Sequence, residues 1–225
     1  MQIEDSLIIN LIGRVMKNTG LVIAGKVIRG LIEIVITIFL ARYLGVSNFG
    51  IYSFVFAYLG FFSIMVNLGT ESILIRDIAR DRSNAPVMVG NVILMKIALS
   101  ILSVVLAILV ISVLNYPFNT KLLVYVASLS LLLSLRTAYS DLFRIDLKMF
   151  YPALVEVVTG VLKLALFCFL IFFKAPLISF IVVATIVNLF ALVAVKQLSI
   201  MVVKPKFQFD FALWKYFFKE SWPIA

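Results

Sequence analysis

Apolar positions run through this chain in long blocks, and polar residues fall between the blocks or at isolated points inside them. A helix needs about 20 apolar residues to cross a bilayer. Six blocks are predicted to meet that length, at about residues 19–41, 49–68, 87–114, 122–143, 153–173 and 177–195. Gly45 and Gly50 permit a tight reversal between the first two. Glu71 to Arg82 carries charge at helical spacing and is expected to form a short amphipathic surface helix. Asn115 to Lys121 and Lys174 to Pro176 are turns by their Pro and Asn content, and Pro152 opens the fifth span. The predicted class is an all-α polytopic membrane protein. Residues 1–17 are a cytoplasmic amphipathic lead, 18–198 a lobe of six transmembrane helices, and 199–225 a basic cytoplasmic linker with the truncated start of a seventh helix. The few residues from Glu220 to Ala225 cannot span a membrane at 1.5 Å per residue, so a truncated or split reading frame, or a fragment, is expected.

Charges inside the blocks change the picture most. The first block holds Lys26, Arg29 and Glu33. At about 100° per residue, Arg29 lies about 60° and Glu33 about 20° around the helix from Lys26, so the three share a face with Gly30 and Thr37 close by. Val27, Leu31, Ile34, Val35 and Ile38 form the other face, suited to lipid or packed neighbours. A charge at the bilayer centre costs roughly 2.5–3.5 kcal/mol on insertion scales, so such residues face protein or a water-filled path. An ion-paired tie between helices and a ligand-binding face both satisfy that requirement.

Four further basic or acidic positions extend the pattern. Arg136 lies in the fourth block, within a polar stripe of Ser130, Ser134, Thr137 and Asp141. Glu156 and Lys163 lie two turns apart on the fifth, and Lys96 lies about two turns into the third, near Ser100 and Ser103. Lys96 and Lys163 could equally snorkel to an interface or pair with an acid. Together, Lys26, Arg29, Arg136 and Lys163 are the candidate substrate-binding cations of a shared cavity, with Glu33 and Glu156 balancing charge when it is empty. A cationic cavity suits an anionic ligand, above all a phosphate or pyrophosphate.

Composition narrows the chemistry. The chain has 225 residues, of which 64% are hydrophobic, against about 45–50% in soluble domains. Without histidine it has no His metal site, Ser–His chemistry or His switch, and no metal or cofactor is expected. Cys168 has no partner for an internal disulfide and reads as a small packing residue. Asp77 and Asp81 resemble a carboxylate pair, but Arg76, Arg80 and Arg82 around them point to a solvated, salt-bridged helix. With short loops and no convergent acids, no enzyme constellation is present. The net charge of +9 is not gathered into a continuous run or nucleic-acid motif. It is instead distributed by side. With the N-terminus inside, twelve basic residues fall on cytoplasmic segments (Arg14, Lys17, Arg76, Arg80, Arg82, Arg144, Lys148 and the five lysines from Lys196 to Lys219). Only Arg42, Lys121 and Lys174 fall outside, which orients the N-terminus to the cytoplasm of a cell membrane.

Several local motifs carry a resemblance: Ala41-Arg42-Tyr43-Leu44-Gly45 continuing to Phe49-Gly50 and Tyr52, Asn67-Leu68-Gly69, Leu74-Ile75-Arg76-Asp77-Ile78-Ala79-Arg80, Tyr151-Pro152-Ala153-Leu154-Val155-Glu156, and Ser221-Trp222-Pro223-Ile224-Ala225. Over essentially its whole length the chain resembles the polysaccharide flippases of the O-antigen (Wzx) type. Their superfamily also holds the lipid II flippase and the multidrug and toxin extruders. The resemblance implies a transporter of 12–14 helices in two six-helix lobes, with this chain as the first lobe. It implies translocation of a polyprenyl-pyrophosphate-linked oligosaccharide across the bilayer by alternating access, with a missing C-terminal lobe, in the same or a separate chain, as partner. Lys26 and Arg29 stand where family members place cavity cations. Two other functions remain: an ion-coupled multidrug exporter of the same superfamily, which would be expected to offer acids in its cavity, and a non-transporting membrane scaffold, which would not need Arg29 and Arg136 in the membrane.

Overall fold

A computed structural model describes residues 2–67 and 70–221, without side chains for residues 2–15, 17, 18 and 221. The Leu68-Gly69 motif, the terminal Trp222–Ala225 segment, and the Arg14 and Lys17 side chains lie outside the described residues. Eight helices follow one another: α1 Gln2–Val66, α2 Thr70–Arg80, α3 Ala85–Val113, α4 Phe118–Leu132, α5 Leu135–Ile145, α6 Phe150–Phe172, α7 Leu177–Ser199 and α8 Phe211–Ser221.

Among the described residues, four segments are long and apolar enough to cross a membrane: Ala85–Val113, Phe118–Ile145, Phe150–Phe172 and Leu177–Ser199. They match the third to sixth expected spans. The first two expected spans fall within α1, which departs from helical geometry at one residue, Gly45 (φ 69°, ψ 174°). That positive φ is open to glycine and strained for other residues. In place of the expected turn over 42–48, the chain thus breaks at one position. The break folds α1 back on itself: Glu33 is within electrostatic reach of Tyr52, although 19 residues of straight helix would separate them by about 28 Å.

The expected fourth span is also discontinuous. α4 ends at Leu132, and α5 starts at Leu135 with no Pro or Gly between. The junction tightens to three-residue bonds, Leu133 N–H to Ser130 O (3.1 Å) and Ser134 N–H to Leu131 O (3.2 Å). The stripe expected from Ser130 to Asp141 is therefore broken, and only Thr137 and Asp141 stay aligned, on α5.

Connections at the Gly45 end are abrupt. Lys174 (φ 50°) ends α6 in a left-handed turn, where Ala175 N–H bonds to Leu170 O at 3.0 Å. Leu147 (φ 54°) ends α5 in the same way at the other end of the bundle, with Lys148 N–H bonding to Phe143 O at 2.9 Å. These are Schellman closures built without glycine. Tyr43 Oη donates to Ala175 O (2.9 Å), tying the Gly45 break to the α6–α7 turn.

Packing follows from small residues and aromatics. The first half of α1 runs beside α6 in the same direction. A Cβ on Gly25 would stand 3.1 Å from that of Ala153, and one on Gly160 3.4 Å from Ile32 Cδ1. Small residues of this kind let helix backbones approach in lipid. The second half of α1 packs Val55, Leu59 and Phe62 with Ala107, Ile111, Val124 and Ala127 of α3 and α4. The faces diverge as the sequence suggests, since Val27, Leu31, Ile34 and Ile38 are about half exposed while Ile36 and Leu40 are buried. Cys168 is exposed on α6 and does not pack inside.

The segment after α7 is more ordered than a basic linker requires. Lys206 N–H donates to Pro86 O (2.8 Å), and a Cβ on Gly90 would lie 2.0 Å from Lys206 O. Fully buried Asn91 donates to Gln208 O (2.7 Å) and accepts from Asp210 N–H (2.9 Å). Asp210 caps α8 by accepting from Ala212 N–H at 2.8 Å. α8 then joins α2, where Arg76 donates to Tyr216 Oη (2.7 Å) and Tyr216 donates to Asp77 (2.9 Å).

Candidate functional site

The parallel register of α1 and α6 brings their charges level. Arg29 Nη1 donates to Glu156 Oε1 at 3.3 Å. One turn further along α1 and two along α6, Lys163 Nζ donates to both carboxylate oxygens of Glu33, at 3.0 and 2.9 Å. Each partnership joins one residue of α1 to one of α6. The sequence shows the opposite charges on each helix but not their exchange, because the relative height of two helices is set by packing.

α5 adds the third cation. Arg136 Nη2 lies 3.6 Å from the same Glu156 Oε1 that Arg29 contacts. Its side chain is 18% exposed, against 40% for Arg29, so it reaches the carboxylate from the packed side and Arg29 from the open one. Two guanidiniums thus share one carboxylate. Lys163 also stands 5.5 Å from the Phe167 ring centroid, a cation–π distance.

Lys26 has a different setting. It is exposed, has no ion-pair partner among the described residues, and lines a cleft of about 70 Å³ with Ser140, Asp141, Arg144 and Glu156. Its cleft touches the Arg29–Arg136–Glu156 cluster through Glu156. The six predicted residues therefore form two adjoining groups, with Lys26 as the cation left unpaired. Ser140, Asp141 and Arg144 were not among them. Their signal was the one-turn spacing that carries the Arg136 helix on toward its end.

Lys96 belongs elsewhere. It is 3% exposed, so it does not snorkel, and it donates to Thr137 Oγ1 at 2.9 Å. Thr137 Oγ1 lies 3.3 Å from Asn67 Oδ1 and 2.9 Å from Ser134 O, at the α4–α5 break. Asp141, itself buried, is the acid within electrostatic reach of Lys96. This network ties α3, α5 and the end of α1 together behind the cationic face. Arg144 is paired with Glu71 of α2. Asp77 and Asp81 do not converge: Asp77 bonds Arg76 (2.9 Å), while Asp81 accepts from Ser83 Oγ (2.6 Å) and Asn84 (2.8 Å). Among the described residues no cluster of metal-ligating side chains occurs.

The arrangement can do one thing directly. Lys26, Arg29 and Arg136 are three cations beside the single carboxylate of Glu156, a net positive charge that an incoming anion can meet. A family model described as "Polysaccharide biosynthesis protein" matches residues 15–225. No curated protein and no solved structure matches the chain.

Proposed function

The chain belongs to the polysaccharide biosynthesis protein family, the family of polysaccharide and O-antigen flippases, and from that premise we propose that it forms the cation-bearing lobe of a flippase for a polyprenyl-pyrophosphate-linked oligosaccharide. The family is of transporter type, and the apolar helices make this a multi-pass membrane protein. The observation that carries the finer reading is the sharing of Glu156 by Arg29 and Arg136, beside unpaired Lys26.

In the resting site Glu156 holds the two guanidiniums together. The substrate pyrophosphate takes its place, since Arg presents a planar fork that matches phosphate oxygens in bidentate fashion. Lys26 meets the anion first at the open face, as a point charge. Glu33 and Lys163 neutralise each other and hold α1 against α6. The polar face of α1 is open in this lobe: Lys26, Gly30 and Thr37 are exposed. A second six-helix lobe would supply the opposing wall, and alternating access would come from rocking one lobe against the other around this midplane site. The chain is not an enzyme in this reading, and the basic asymmetry supports a cytoplasmic N-terminus. The cations outnumber the acids here, which favours an anionic lipid over the cationic drugs of an exporter.

The test is made in the complete transporter, in a flippase-deficient cell, by assaying surface polysaccharide. Arg29→Ala abolishes export at near-normal protein level, and Arg29→Lys keeps part of it. Full export from a Lys26→Ala/Arg29→Ala double variant would falsify the contact.

A further inference from the structure

A second cleft, of about 330 Å³, opens at the α2 end of the bundle and shares no lining residue with the cationic face. Its lining is apolar at Ile78, Pro86 and Val203 and charged at Arg82, Asp146 and Lys204. Arg82 Nη2 donates to Asp146 Oδ1 at 3.0 Å, and Lys148 Nζ donates to Asp146 Oδ2 at 3.3 Å. Lys204 is exposed and has no ion-pair partner among the described residues. Arg82 and Lys148 therefore share one carboxylate, and with Lys204 in its lining the cleft keeps an excess of positive charge.

The depth of this cleft follows from the helices that border it. Ala85 begins one membrane-length helix, Ile145 ends another, and α7 ends at Ser199, three residues before Val202. A cleft framed by the ends of three spans lies at the level of lipid headgroups. Basic pockets between span ends hold anionic headgroups, because a phosphodiester gains charged partners while its glycerol and first methylenes stay out of water. A soluble anion would use Arg82 and Lys204 but would have no use for Ile78, Pro86 and Val203.

We propose that this cleft binds one anionic phospholipid of the bordering leaflet, with its phosphodiester on Arg82 and Lys204 and its glycerol end against Pro86 and Val203. Arg82 keeps donors for it, since Nε and Nη1 carry no hydrogen bond among the described residues. Asp146 opposes the lipid by competing for Arg82. The site holds α2, the α5–α6 turn and the segment after α7 to the same lipid molecule.

The test is native mass spectrometry of the full chain released from detergent. Phosphatidylglycerol is added in one arm, phosphatidylcholine in a second, and phosphatidylglycerol with millimolar inorganic phosphate in a third. A retained phosphatidylglycerol adduct, weak retention of phosphatidylcholine, and no displacement by phosphate are expected. Arg82→Gln/Lys204→Gln lowers retention about 10- to 30-fold, taking one headgroup contact per cation lost. Asp146→Asn raises retention, a gain that misfolding cannot mimic. Equal retention of the two lipids, displacement by phosphate, or retention unchanged in both variants overturns the proposal.

Discussion

Lys163 gives hydrogen bonds to both oxygens of Glu33, at 3.0 and 2.9 Å, across 130 positions of sequence. The pair adds to the packing at Gly25 and Gly160 that holds α6 level with α1, the level at which Arg29 meets Glu156. Both side chains are partly exposed, at 19% and 38%, so the bond is discounted relative to a fully buried one.

A double-mutant cycle with Glu33→Gln and Lys163→Gln is expected to give a coupling of about 0.5–1.5 kcal/mol, the range for polar pairs between membrane helices. Reversible unfolding in mixed micelles measures it. Zero coupling would mean that packing at Gly25 and Gly160 sets the register alone.

Glu156→Gln removes the acid that two guanidiniums share, leaving Arg29 and Arg136 with like charge and no carboxylate between them. The variant is expected to bind inorganic pyrophosphate more tightly than the native chain, by up to about tenfold, while unfolding more readily. Calorimetric titration in detergent reads the first effect, and a melting curve the second. Weaker binding than native would place Glu156 outside the anion site.

Gly90→Ala places a methyl group 2.0 Å from Lys206 O, which is backbone and cannot swing aside. The segment over 201–210 is expected to leave α3, at a cost of about 1–3 kcal/mol. Hydrogen exchange should rise at Lys206 and Asp210, whose N–H groups bond Pro86 and Asn91. Unchanged exchange there would show that the helix end yields instead.

Asp81 gives the surface turn a pH dependence. The Ser83 hydroxyl and N–H, with the Asn84 amide, hold its carboxyl below the usual carboxylate range. A depressed folded value means that the bonded turn is stabilised above the unfolded carboxylate value of about 4, and that this contribution fades as pH falls through the lower folded value. Protease cutting at 81–84 is thus expected to differ between the native chain and Asp81→Asn at pH 7 and to converge at acid pH. A difference that persists in acid refutes it.

Orientation can be read by labelling in a Cys168→Ser background. A cysteine at Asn119 is expected to react with an impermeant thiol reagent from outside the cell, and one at Ser83 only after permeabilisation. The reverse pattern would invert the bundle.

The sequence made the helical class legible, because apolar runs of membrane length need no partner to be recognised. It also showed that Arg29, Glu33, Glu156 and Lys163 must meet protein or water. It did not show which acid meets which base, since that depends on the Gly25–Ala153 approach. The break at Leu132–Leu135 was hidden because neither Pro nor Gly marks it. Asn91 likewise gave no sign of holding Gln208 and Asp210, as a polar residue near a helix start ordinarily reads as solvated. The helix over Phe211–Ser221 was masked by its lysines, which made the region look like a plain basic linker.

The single-residue break at Gly45 has one more consequence, seen from the aqueous phase. Proteases need several residues of extended, detachable backbone. At that end of the bundle the chain offers them a lone glycine, the few residues between α3 and α4, and the Lys174–Pro176 turn. The opposite end offers the eleven residues from Ile200 to Asp210, the longest stretch between two of the described helices, but Lys206, Gln208 and Asp210 are bonded to α3 there, so enzymatic attack at that pole must first lift the segment away.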